Sequence, residues 1–221
     1  MASTSILCAA DSPPKANKQM QAVLDQLQQL GGKPIESLMP EEARKQPSPA
    51  DAVKAILQSR GQSTAPEKVA SVKNQTIPGV DGQIPVRIYT PKGEGPFPVI
   101  VYIHGGGWVI ADLDTYDSSP RALANAANAV VVSTHYRLAP EHPFPASHDD
   151  AFTAYRWARD NATSFNGDPT RIAVAGPECA IAGASTARLS RGRHGHDHTE
   201  LRREREREAA EQSDDGMVCQ T

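Results

Sequence analysis

A histidine, three glycines and a tryptophan, His104-Gly105-Gly106-Gly107-Trp108, follow directly on the apolar run Pro98-Val99-Ile100-Val101-Tyr102-Ile103. These residue types suit acyl transfer. Attack on an ester carbonyl passes through a tetrahedral oxyanion, best met by backbone N–H donors already pointing at it. Glycines let the backbone turn sharply and come close to a substrate. A strand running straight into such a loop places it at the carboxyl end of a parallel sheet, where ligands bind in such folds. Taken alone, three glycines after a strand are better explained as a plain turn. The chemistry also needs a nucleophile at the end of a later strand. There, after Arg171-Ile172-Ala173-Val174-Ala175-Gly176, the chain reads Pro177-Glu178-Cys179-Ala180, and no G-x-S-x-G occurs in the sequence.

The elements that must position these residues are legible from periodicity. Met20, Val23, Leu24, Leu27 and Leu30 recur at helical spacing over 15–30, and Gly31-Gly32 stops the run. A second helix is predicted over Pro49–Ser59, capped by Ser48, with Ala52, Val53, Ile56 and Leu57 on one face. Between them the stretch around Lys45–Pro49 is polar and proline-rich. Strands are predicted over Lys68–Ile77 and Ile84–Thr90, joined by a turn at Pro78–Gly82. The run at 98–103 suits a strand buried on both faces. A helix over Ser119–Asn128 precedes a strand over Ala129–Thr134. A further helix spans about 147–161, with Ala151, Phe152, Tyr155 and Trp157 available for burial, and Gly167-Asp168-Pro169 turns the chain into the strand at 171–175. Alternating helices and buried strands predict an α/β fold.

Composition bounds the rest. The 221 residues suffice for one sizeable domain. A net charge of −3 gives no bulk electrostatic case for nucleic acid or an anionic membrane. No apolar run reaches the length of a bilayer span. Cys8, Cys179 and Cys219 are odd in number and far apart, which fits neither a disulfide framework nor a zinc site, and predicts a cytoplasmic chain. The apolar stretch Ile6–Ala10 lacks a basic flank; it would mark a secreted or periplasmic protein only if the true start lay upstream. From Pro177 the composition changes abruptly: residues 177–221 hold no Phe, Trp, Tyr or Lys and are rich in Arg and Glu. Leu201–Gln212 can be helical through pairs such as Arg202–Glu206, but has no apolar face, so the tail is expected to be disordered or a solvated helix. His194, His196 and His198 alternate as metal ligands on a strand would, yet a polar tail explains them better, and no metal is expected. Interleaved acidic residues argue against an RNA-binding role for the arginines.

Tyr136-Arg137-Leu138-Ala139-Pro140-Glu141-His142-Pro143-Phe144-Pro145-Ala146 follows the next strand, and Asp149-Asp150 follows that. With His104–Trp108, this combination closely resembles the hormone-sensitive-lipase-like branch of the α/β-hydrolases, the fold-3 esterases. The resemblance covers about 18–176. It implies a partial α/β-hydrolase fold, a mostly parallel sheet with flanking helices over 68–176. It also implies a helical cap-like segment over 18–67; residues 1–17 are expected to be a flexible N-terminus and 177–221 a tail unrelated to the family. The activity implied is hydrolysis of small carboxylic esters by a Ser-His-Asp triad without a cofactor.

Carried over residue by residue, Gly105, Gly106 and Gly107 match the oxyanion-hole glycines. His104 matches the histidine that shapes that loop, a supporting residue rather than a proton shuttle. Glu141 and His142 look like an acid–base pair, but adjacent residues rarely face one substrate atom, and the resemblance implies a structural motif. The nucleophile does not carry over. Aligned without gaps, Glu178 stands at the serine position; with one inserted residue, Cys179 does. A thiolate is a competent nucleophile, but Pro177 and Ile181 fit poorly around the tight turn it needs. The triad Asp and His have no counterparts. The simplest reading is an esterase gene whose frame is disrupted near the nucleophile elbow, giving a chain inactive as written. The alternatives are a non-catalytic binding module and a divergent hydrolase using Cys179.

Overall fold

The computed structural model of the chain describes residues 16–177. The compact unit to which they belong spans Met1–Ala182, and a second, Gly183–Thr221, lies outside the described residues. Helix α1 (Lys18–Gln29) starts where the Asn17 side chain accepts the Met20 amide at 2.8 Å. Helix α3 (Pro49–Ser59) has the predicted bounds. Ser48 and Asp51 satisfy each other's backbone amides in a capping box, and Pro49 takes a first-turn position where no amide is needed. The two helices pack on each other. Ahead of the polar stretch at Lys45–Pro49 lie a 3₁₀ turn at Ile35–Ser37 and a short helix α2 (Pro40–Ala43), for which the sequence raised no expectation. Elements of three or four residues carry no hydrophobic period to read.

The sheet contains β1 (Ser71–Gly79), β2 (Gly82–Thr90), β3 (Phe97–Ile103), β4 (Val130–Thr134) and β5 (Gly167–Ala175), in the order β1-β2-β4-β3-β5. It is mixed: β4, β3 and β5 run parallel, while β1 and β2 join them as an antiparallel hairpin. The hairpin closes over Val80-Asp81, between paired Gly79 and Gly82. Pro78, predicted in the turn, belongs to β1, an edge strand where its missing amide is tolerated. The predicted bend at Gly167–Pro169 sits inside β5. Asp168 accepts both the amide and the hydroxyl of Thr170, and the register against β3 jumps from Phe97–Gly167 to Val99–Ile172.

Side-chain alternation splits the core between two faces. Val99, Val101 and Ile103 pack with Val130, Val132 and helix α5 (Ala146–Asp160). Tyr102, Val131 and Tyr89 pack on the other face with helix α4 (Ser118–Ala127). Helices thus cover both faces, as expected. On α5 the residues buried against the sheet are chiefly Ala151, Ala154 and Ala158, with Phe152 also buried. Tyr155 and Trp157, expected in the core, are only partly buried, because the alanines bring the helix backbone close and leave the large rings at its flanks. No helix among the described residues is long and apolar enough to cross a membrane.

Candidate active site

Parallel neighbours β3 and β5 leave the sheet at the same end, so the His104–Trp108 loop and the segment after Gly176 meet there. A Cβ placed on Gly105 would lie 3.0 Å from the Cβ of Pro177. Gly176 has φ +120°, and a Cβ there would lie 2.0 Å from the Ile103 carbonyl oxygen; only glycine permits so close a crossing of the two strand ends. The glycine loop therefore stands beside the position where a nucleophile would follow β5. Cys179, and with it His194, His196 and His198, lies outside the described residues.

The loop is folded back on itself. Gly106 has φ +132°, and its carbonyl oxygen accepts the amides of Val109 and Ile110, each at 3.1 Å. A Cβ on Gly106 would lie 2.1 Å from the Ile110 carbonyl oxygen, so no other residue fits. Trp108 and Ala111 also adopt positive φ, 62° and 72°. For non-glycine residues this costs roughly 1–2 kcal/mol each, and it persists only where surrounding contacts hold it. One such contact is the Ala139 amide, which donates to the Trp108 carbonyl at 2.8 Å.

His104 is fully buried beneath the loop, its ring stacked on Tyr136 at 4.3 Å and flanked by Tyr116 and His135. The Tyr136 hydroxyl donates to the His104 carbonyl at 2.7 Å, so towards Nδ1, 3.1 Å away, it can only accept. Gly105 O, 2.9 Å from Nδ1, is likewise an acceptor. Both contacts assign the proton to Nδ1. Nε2 is then a bare lone pair, buried without a partner among the described residues. Protonating it would place a charge in the interior, and burial accordingly pulls the imidazole down to about 4. His104 is thus neutral at pH 7 and tied to the loop backbone.

Glu141 and His142 form no acid–base pair. The Glu141 carboxylate is held by the Arg44 guanidinium at 2.8 and 2.7 Å, which lowers it to about 2, and the His142 amide donates to Leu138 O. Asp150, almost fully buried, accepts the backbone amide, Nε and Nη2 of Arg137, each at 2.9 Å. That anchor fastens the Tyr136–Ala146 segment to the first turns of α5. The neighbouring Asp112 caps Asp114 and Thr115, and Asp117 gathers Tyr89, Arg87 and Arg121 on the opposite side. Sequence reasoning missed Arg44, Asp112, Tyr116 and His135 altogether. Trp108 and Tyr136 were seen only as motif letters; in the fold their rings pack at 4.8 Å, and Trp108 also packs on His148 at 4.6 Å.

A family profile described as the alpha/beta hydrolase fold matches residues 100–188, from within β3 to beyond the last described residue. Its fold is that of the α/β hydrolases, and over this stretch the chain resembles their fold-3 family. The chain is 53% identical over 108 residues to a carboxylesterase of Mycobacterium tuberculosis, NlhH, the match covering 48% of this chain and 34% of that protein. It superposes on a hyperthermophilic esterase from Pyrobaculum calidifontis with a TM-score of 0.65 at 35% identity, covering 80% of this chain and 55% of the other. With an ester hydrolase from the metagenome of Lake Arreo the TM-score is 0.62 at 38% identity, over 78% and 54% of the two chains. The chain spans between a third and a little over half the length of these relatives.

Proposed function

We propose that Gly105–Gly107 form the oxyanion hole of a carboxylic-ester hydrolase, and that the chain as written lacks the nucleophile to use it. The observation that carries this reading is the placement of the loop. Its glycines lie against Pro177 at the end of β5, with the Gly106 carbonyl turned inward and held by two amides. A tetrahedral intermediate formed at the end of β5 would put its oxyanion against backbone amides of this loop, in an orientation fixed before the substrate arrives. His104 keeps the loop in place and moves no proton. The substrate class is that of small carboxylic esters, and the residues present call for no cofactor.

The nucleophile is the missing part. The profile match extends to 188, so the elbow position falls within it, yet the sequence there is Glu178-Cys179-Ala180, with cysteine in place of serine and Ile181 where a glycine should follow. A reading frame disrupted at this point accounts for a family-like sequence up to Gly176 and an aromatic-free, Arg/Glu-rich run after it. Without a nucleophile, oxyanion donors retain at most ~10³–10⁴-fold advantage over water, and only in a closed pocket. The full chain is therefore expected to hydrolyse short-chain p-nitrophenyl esters no faster than a denatured control. Robust turnover abolished by Cys179→Ala would instead establish the cysteine hydrolase.

A further inference from the structure

Arg44 lies at the C-terminal end of α2, far in sequence from the glycine loop. Its guanidinium nevertheless makes four hydrogen bonds there. Nε donates to the Val109 carbonyl at 2.8 Å, Nη2 to the Ala139 carbonyl at 2.8 Å, and Nη1 and Nη2 to the Glu141 carboxylate at 2.8 and 2.7 Å. The planar fork thus joins three segments: the N-terminal helical region, the return of the glycine loop, and the turn after Tyr136.

We infer that Arg44 is the positioning residue that sets the direction of the Gly107 amide, and so tunes the oxyanion hole from the N-terminal segment. This rests on the oxyanion reading given above. The linkage is mechanical. Arg44 holds the carbonyl of Val109, while the amide of Val109 holds the carbonyl of Gly106. In a planar trans peptide the C=O of Gly106 and the N–H of Gly107 point in opposite directions. Fixing the first fixes the second. The loop needs such a clamp: Gly106 and Gly107 are free of Cβ restraint, and Trp108 and Ala111 sit at positive φ on either side of Val109. The Ala139 amide-to-Trp108 carbonyl bond supplies a second rung, and Arg44 grips the same residue, Ala139, from its carbonyl side. Glu141 keeps the fork in register, which gives this carboxylate a role that is not acid–base chemistry. A lysine could offer a point charge but not donors to two carbonyls and a bidentate carboxylate at once.

The test is site-resolved hydrogen exchange on the full chain, unaltered and as Arg44→Ala, Arg44→Lys and Glu141→Gln. The expected result is at least about tenfold faster exchange at the Val109 and Ile110 amides in both Arg44 variants, with Val99–Ile103 unchanged, and a smaller effect in Glu141→Gln. Unchanged exchange at 109–110, an equal rise throughout β3, or full rescue by lysine would overturn the proposal. A second measurement separates it from the reading on which it rests. In a chain with the frame after Gly176 restored, Arg44→Ala is expected to lower kcat by about 10²-fold, the scale for loss of one oxyanion donor, with KM little changed. A loosened loop with kcat intact would overturn the positioning role. A loosened loop in a restored chain that shows no esterase activity before mutation would leave the Arg44 linkage standing and refute the oxyanion reading.

Discussion

Replacing Asp150 by alanine should be among the most damaging single changes in the described part of the chain. Asp150 is 1% exposed and accepts three hydrogen bonds from Arg137, one of them from the backbone. Removing it leaves a part-buried amide unpaired and strips the guanidinium of its main partner. Breaking a buried ion pair from one side costs about 3–5 kcal/mol. Arg137 is a fifth exposed and keeps Asp81 at 3.0 Å, so the lower end, about 3 kcal/mol, applies. For a domain of this size that is a fall in Tm of roughly 6–12 °C. The assay is urea unfolding followed by far-UV circular dichroism, checking that the slope against urea is unchanged. The internal control is Asp160→Ala, whose pair with Arg159 is about half exposed on both sides and is expected to contribute about 0–1 kcal/mol. Equal effects of the two substitutions, or a loss below about 1 kcal/mol for Asp150→Ala, would refute the argument that this carboxylate anchors the segment beneath the loop.

Stability should fall as the pH drops below the ordinary imidazole value. His104 is held at about 4, below the ordinary imidazole value of 6.5, so the unfolded chain binds a proton that the folded chain refuses. This stabilisation is complete above pH ~6.5 and is lost as pH drops towards 4, by up to about 3 kcal/mol, with buried His135 acting in the same direction. Urea midpoints at pH 7.5, 6 and 5 check it, and a flat profile contradicts it. Gly106→Ala should break the loop, since the new methyl would collide with the Ile110 carbonyl. In a frame-restored chain the expected result is a loss of at least about 10²-fold in kcat, measured beside circular dichroism of an intact sheet.

What could be read from the chain was what is local or periodic. The Ser48 cap and the α3 bounds follow from a Ser-x-x-Asp pattern with proline at the first helical position. The β3 run declares itself by its unbroken apolar character, and the glycine loop by sitting at its end. Arg44 could not be found this way: its partners lie 65 to 97 positions along the chain, and nothing around it marks it as different from other surface arginines. Tyr136 was visible as a letter in a motif, but its hydroxyl, by choosing the His104 carbonyl, decides the histidine tautomer, and that is set only by the fold. On α5 large aromatic rings suggest core, while the alanines win the sheet because they allow the closer approach.

The central claim is that the chain carries the oxyanion half of an ester-hydrolysing site without its nucleophile. It is tested most directly by p-nitrophenyl butyrate hydrolysis, comparing the full chain as written with the chain whose frame after Gly176 is restored to place a serine at the elbow. The account predicts no turnover above a denatured control for the first and clear esterase activity for the second. Turnover by the unaltered chain, or a folded but inactive restored chain, would contradict it.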